Sequence, residues 1–231
     1  LRSHPSIEVL EEIPIINSFI DHLNINKGFA LEDLENTDPK LIKEMRDYYF
    51  NQIESYKKNK NKKITIDKMP LNLVHVGEIL RFFPNAKFIL ALRHPYDCVL
   101  SCFMQNFMLN HAMANFLNLD DTLKLYDLTM SLWKKYNNVF KIDHHLIRYE
   151  DVVSNFKKTI GDLLKFLNVK WSDNVTEFYK TAEKRGIINT PSYNQVSQPI
   201  YSNSMYRWKN YEKEFAKSDI SLENWFKEFN Y

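Results

Sequence analysis

Two textures of apolar and polar positions alternate along the chain. Four short apolar or β-branched runs end in or next to charged residues: 6–12 (SIEVLEE), 63–67 (KITID), 87–92 (KFILAL) and 144–149 (HHLIRY). Runs of this length and composition predict strands. Between them, apolar residues recur every three to four positions, the period of an amphipathic helix. That spacing predicts helices over 14–23, 38–56, 72–83, 95–108, 120–136, 151–167 and 173–183. Asp38 before Pro39 is a cap followed by a first-turn proline, and Pro95 suits the first turn of its helix because its missing N–H costs nothing there. Strands alternating with helices imply an α/β fold with a parallel sheet. The order 63–67, 72–83, 87–92 predicts one right-handed βαβ unit. Residues 88–92 are all apolar, which predicts a strand buried on both faces.

The texture changes near the end. Residues 186–204 (GIINTPSYNQVSQPIYSNS) have no period and are rich in Asn, Ser, Pro and Gln. A loop this long in a compact domain is usually functional or disordered, and Tyr193, Val196, Ile200 and Tyr201 argue against plain disorder. Residues 205–231 are aromatic and read as helical, with Trp208, Tyr211, Phe215, Trp225 and Phe226.

Candidate chemistry sits at the strand ends: Glu11-Glu12, then Lys68, Arg93 and Arg148-Tyr149-Glu150. In parallel strands such ends lie on one side, where ligands of open α/β sheets bind. Acids, a lysine and an arginine facing one crevice suit the transfer of an anionic group. Arg93 beside the free N–H groups of a helix start is a candidate anion site.

Composition narrows the alternatives. The 231 residues fit one α/β domain, and a net charge of +2 is too small to argue for nucleic acid or an acidic membrane. The lysine-rich 57–63 reads as a solvated loop. No apolar run approaches the roughly 20 residues of a membrane span, and no secretory signal is present. The two cysteines, Cys98 and Cys102, are four apart on a predicted helix. Cβ atoms at that spacing are about 5–6 Å apart, beyond the roughly 3.5–4.5 Å of a disulfide. Both read as reduced, which together with the missing signal leads us to expect a cytoplasmic protein. His144 and His145 are neighbours on a strand and point to opposite faces, so they cannot share a metal. No Cys/His spacing suggests zinc, no G-x-S-x-G elbow occurs, and metal-free chemistry is the expectation. The four glycines form no phosphate loop.

The chain resembles the PAPS-dependent sulfotransferases, in particular the bacterial group that often carries tetratricopeptide repeats upstream, and more distantly the tyrosylprotein sulfotransferases. The resemblance rests on RHPYDCVLS (93–101), DKMPLN (67–72) followed by FPNAKFI (83–89), RYEDVV (148–153), the tail SYNQVSQPIYSNSMYRW (192–208) and LRSHPSIEVLEE (1–12). It implies a three-layer α/β fold, a mostly parallel sheet flanked by helices like that of P-loop nucleotide hydrolases, with 1–231 as a single sulfotransferase domain. It implies PAPS (3′-phosphoadenosine 5′-phosphosulfate) as donor, PAP as product, no metal, and a small-molecule, glycan or peptide acceptor. By the same resemblance Glu12 is the general base and Lys68 meets the sulfuryl group and its bridging oxygen. Arg93 and Ser101 take the 3′-phosphate, Tyr149 lies near the adenine, and 186–204, with Ser192, Gln195 and Tyr201, covers the nucleotide. Arg207 faces the phosphates.

The family's 5′-phosphosulfate loop and the strand before it have no counterpart in these residues and would precede Leu1. The expectation is therefore a sulfotransferase domain truncated at its N-terminus. The alternative is a non-catalytic nucleotide-binding or assembly module. A P-loop kinase relative is disfavoured by the absence of G-x-x-x-x-G-K-[ST].

Overall fold

In the computed structural model, which describes residues 1–183, 200 and 202–231, strands β1 (Ile7–Glu11), β2 (Ile64–Lys68), β3 (Phe88–Leu92) and β4 (His144–Arg148) form two parallel ladders, β1 with β2 and β3 with β4. Helices connect the two strands of each ladder. The fold is α/β, with parallel strands flanked by helices, as the alternation of textures implies. The expected pairing across 63–67, 72–83 and 87–92 is not what forms. Among the described residues β2 and β3 each take a partner from elsewhere in the chain. Sequence neighbours among strands pair only about two-thirds of the time, and here the longer helical crossovers win.

The chain divides into two compact units. The first holds Leu1–Lys87, Lys135–Asp143 and Ser172–Phe178. Its core lies between helix α1 (Ile15–Asp21), helix α2 (Pro39–Tyr56) and helix α3 (Val76–Phe82). Phe19 is buried and meets Phe82 edge to face at 5.1 Å, with Ile16, Ile20, Leu23 and Met45 around them. The Asp38 carboxylate caps α2 by accepting from the Lys40 N–H at 2.9 Å, and Pro39 follows as the sequence predicts. A single π-turn (His22–Asn26) continues α1. The helix expected over 72–83 starts instead as a 3-10 turn (Pro70–His75) and becomes α-helical only from Val76.

The second unit holds Phe88–Lys134, His144–Trp171 and Tyr179–Tyr231. Here β3 departs from expectation, since Leu90 and Leu92 are buried while on the other face Ile89 is half-buried and Ala91 exposed, so that face is only partly covered. His144 and His145 do take opposite faces: one ring meets Trp133 at 5.2 Å and the other stacks on Phe166 at 5.5 Å. Helix α4 (Pro95–Phe103) is shorter than the expected 95–108. Phe103, Met104 and Met108 are exposed, so the apolar spacing continues past the surface that could reward a helix. Helix α5 (Leu119–Phe140) overruns its expected end by one turn.

The helix expected over 151–167 breaks at Asn155 (φ −145°, ψ 60°) into α6 (Tyr149–Ser154) and α7 (Phe156–Phe166). Tyr149 therefore opens a helix rather than closing a strand. After a 3-10 turn (Asp173–Val175) comes α8 (Phe178–Glu183). The final residues form a 3-10 turn (Arg207–Tyr211), α9 (Glu212–Phe215) and α10 (Glu223–Glu228). No helix among the described residues is long and apolar enough to cross a membrane.

Candidate functional site

The sequence-predicted site residues fall into two clusters, one in each unit. In the first unit, β1 ends at Glu11 and the chain turns at Glu12, whose φ of 58° is left-handed. A non-glycine residue there is strained, and strain of this kind persists only where the surroundings hold it. Two bonds hold it here. The Glu12 N–H donates to the Lys68 carbonyl at 2.7 Å, and Lys68 Nζ donates to Glu12 Oε1 at 2.8 Å. The parallel register sets Glu11 opposite Lys68, so Nζ also lies 3.3 Å from Glu11 Oε1. Arg2 holds the other Glu11 oxygen at 2.9 Å. Lys68 and Glu12 are 40% and 41% exposed, which leaves both side chains accessible to a reactant.

Asp67, one residue before Lys68, points inward. Its carboxyl is pushed up to about 6 by burial, against the hydrogen bonds from Tyr49 and Asn72 that pull it down. The Tyr49 hydroxyl donates to Asp67 Oδ2 at 3.2 Å. Sequence reasoning passed over Asp67, although strand alternation already separates it from Lys68.

In the second unit Arg93 follows β3 directly. Its Nη2 donates to the Ser204 carbonyl, and its guanidinium lies over the Tyr149 ring, 5.5 Å from the centroid. Its Nε is buried without a hydrogen-bond partner among the described residues. Arg93 and Tyr149, singled out separately from sequence, are therefore neighbours. Ser101 is exposed on α4, and among the described residues no hydrogen bond joins it to Arg93. Arg207 is exposed, with Nη2 at 3.7 Å from Met104 Sδ. Ser192, Gln195 and Tyr201 lie outside the described residues, as does most of the expected lid at 186–204.

Two neighbours of Arg93, His94 and Asp97, escaped sequence reasoning although both stand inside a quoted motif, and Glu150, marked there only as a strand-end charge, joins them. His94 is 4% exposed, and its ring stacks on Trp208 at 5.1 Å, with Phe226, Tyr231 and Tyr206 around it. Burial above all, then the charges of Lys209 and Arg93, hold its imidazole down to about 4. Asp97, 1% exposed, accepts the Trp208 N–H at 2.8 Å. Glu150, 5% exposed, accepts the His94 N–H at 2.9 Å. Their signal was an acid four residues after Arg93 and another beside Tyr149. Arg148, one of the strand-end charges, is committed to structure. It clamps Asp151 with two bonds, at 2.7 and 2.8 Å, and donates to the carbonyls of Phe229 and Asn230.

Cys98 and Cys102 are free thiols on α4. A hydrogen bond between them holds the Cys98 thiol up and the Cys102 thiol down, and the Arg93 charge adds to the second effect. No group of three or more His, Cys, Asp or Glu side chains suited to a metal ion occurs among the described residues.

Chemically, the first cluster offers a carboxylate beside an ammonium group, a base next to a cation. The second offers a guanidinium with a donor unspent, set over an aromatic ring.

Residues 1–173 match the model of the sulfotransferase family. An uncharacterized protein of Aquifex aeolicus (strain VF5) is 30% identical over 196 residues, which are 82% of this chain and 24% of that protein. Protein-tyrosine sulfotransferase 2 of Gallus gallus is 23% identical over 225 residues, 90% of this chain and 58% of that protein. The chain thus spans about a quarter of the first relative and under two-thirds of the second. Among solved structures, the sulfotransferase domain from the Synechococcus PCC 7002 olefin synthase aligns with a TM-score of 0.51 at 20% identity, covering 90% of this chain and 79% of that one. That likeness is one of fold.

Proposed function

This chain belongs to the sulfotransferase family, and we propose that it transfers a sulfuryl group from PAPS to a hydroxyl or amine of an acceptor by in-line displacement. Glu12 takes the proton of the acceptor as its oxygen or nitrogen bonds to sulfur. Lys68 compensates the negative charge left on the bridging oxygen of the 5′-phosphate when its bond to sulfur breaks. A fixed cation there stabilises the transition state more than the ground state, because that charge grows as the bond opens. The observation that carries this reading is the double link between Glu12 and Lys68, which sets a base and a cation side by side at a strained strand end.

The second cluster fits a nucleotide bearing a 3′-phosphate. The buried Arg93 Nε has no partner among the described residues and is a donor for a phosphate oxygen. Arg93 with Ser101 and Arg207 would hold the phosphate, and the Tyr149 ring would lie against the adenine. Ser192, Gln195 and Tyr201 complete the reading as residues of a cover over the nucleotide, whose closure would exclude water. Because positioning and electrostatics do most of the work in such a displacement, these binding contacts supply rate as well as affinity.

The test is transfer of radiolabelled sulfate from PAPS, by the protein at its natural length, to a panel holding a simple phenol, a tyrosine peptide, a sugar alcohol and an amine. The tyrosine peptide is included because of the name of the Gallus gallus relative. The expected result is transfer to at least one acceptor class, lost in Glu12→Gln. Nucleotide binding without transfer to any class would favour a non-catalytic module.

A further inference from the structure

We propose that Glu150 is a positioning residue that sets Arg93 for its anionic ligand, acting through the backbone of His94; on the reading above, that ligand is the 3′-phosphate of the nucleotide. Glu150 takes no part in the transfer itself. It is nevertheless a carboxylate at 5% exposure, and a buried charge is costly unless it is hydrogen-bonded. Its Oε1 accepts the His94 N–H at 2.9 Å, a charge-assisted bond to the main chain.

The place of that bond gives it leverage. His94 lies between the last residues of β3 and Pro95, the first residue of α4. Pro95 has no N–H, and the start of α4 has no side-chain cap. The His94 N–H is thus a main-chain donor through which the turn carrying Arg93 is fixed from outside. Glu150 and its neighbour Tyr149 form the first turn of α6, so one helix start grips Arg93 twice. Tyr149 lies under the guanidinium, and Glu150 holds the adjoining peptide. The Ser204 carbonyl takes a third hold, on Nη2. A guanidinium held at both ends is pre-organised for a planar fork to a phosphate, and small displacements of such a group are expensive.

The experiment measures binding of adenosine 3′,5′-bisphosphate by calorimetry to the protein at its natural length. Glu150→Ala should weaken binding about tenfold, the scale of one lost charge-assisted contact. Glu150→Gln should stay within about threefold of wild type, because its amide oxygen still accepts the His94 N–H. Combined with Arg93→Ala, Glu150→Ala should add no further loss, since it acts through Arg93. Equal binding by Glu150→Ala and wild type would overturn the proposal, and so would an additive loss in the double variant. If Glu150→Ala does not fold, Glu150→Asp withdraws the acceptor by one methylene and should give an intermediate loss, with unchanged affinity counting against the proposal. Amide hydrogen exchange across 93–97, without nucleotide, gives an independent readout. It should quicken in Glu150→Ala or Glu150→Asp and stay slow in Glu150→Gln; unchanged exchange in the first two overturns the anchor. Failure of wild type to bind the nucleotide would instead sink the sulfotransferase reading and the ligand assigned here, while exchange would still decide the anchor.

Discussion

Glu12 and Lys68 are joined twice, main chain to main chain at 2.7 Å and side chain to side chain at 2.8 Å. The first bond belongs to the fold, because it continues the parallel ladder past Glu11 and fixes the left-handed turn. The second spans two accessible side chains, and an exposed ion pair contributes only about 0–1 kcal/mol. The two bonds therefore predict opposite sensitivities. Lys68→Ala keeps the main-chain bond, so its urea-unfolding free energy should fall by no more than about 1 kcal/mol. Its transfer rate should fall by at least about a hundredfold, on the scale of one transition-state donor. A large stability loss in Lys68→Ala would mean that the pair is structural.

The core of the first unit should answer differently. Phe19 is buried against Phe82 and Phe83 and edge-on to Tyr49. Phe19→Ala should cost about 3–5 kcal/mol, measured by denaturant unfolding, because the cavity lies between helices that cannot close it fully. A loss below about 1 kcal/mol would show that these helices repack.

Two groups make stability depend on acidity, with opposite signs. The His94 pKa in the folded state is held down to about 4, below its ordinary 6.5. The unfolded chain takes up a proton that the folded chain refuses, so this contribution is present above pH 6.5 and is lost as the pH falls toward 4. The Asp67 pKa is raised to about 6 from 3.8, so its contribution is present below 3.8 and is lost as the pH rises through 6. Each changes stability by at most about 1.4 kcal/mol per pH unit inside its window. Asp67→Asn should therefore gain stability relative to wild type as the pH rises from 4 to 6. His94→Gln should lose less stability than wild type on acidification over 6.5 to 4. Parallel unfolding curves for variant and wild type across those windows would contradict both assignments.

The two thiols should be distinguishable. Cys102, held down by the hydrogen bond from Cys98 and by the Arg93 charge, should alkylate first with iodoacetamide near pH 8, and peptide mass spectrometry would read the order. Cys98, held up by the same bond and by burial, should follow. Equal rates, or the reverse order, would contradict that assignment.

Local pattern made much of this legible in the sequence. Four strands, the capped helix at Asp38 and Pro39, and the charged strand ends were all readable because period and capping are local. Pairing was not, because which strands lie side by side depends on long crossovers, and β2 and β3 took other partners. The helix expected over 95–108 stops at Phe103 because Phe103, Met104 and Met108 have no surface to bury against, while Phe107 packs on Phe116 outside the helix. Residue types at strand ends single out Glu12, Lys68, Arg93 and Tyr149, and the fold sets the first two side by side and the last two in contact. Asp97 and His94 carry no such mark, and Glu150 stands out only as a strand-end charge. Their roles run through backbone N–H groups and ring packing, and neither leaves a signature in spacing.

Calorimetric titration of the protein at its natural length with adenosine 3′,5′-bisphosphate tests the proposed nucleotide site around Arg93 without needing an acceptor. Wild type should bind saturably, and Arg93→Ala should weaken binding at least about tenfold, as expected for a lost charged contact. No binding by wild type, or equal binding by Arg93→Ala, would contradict it.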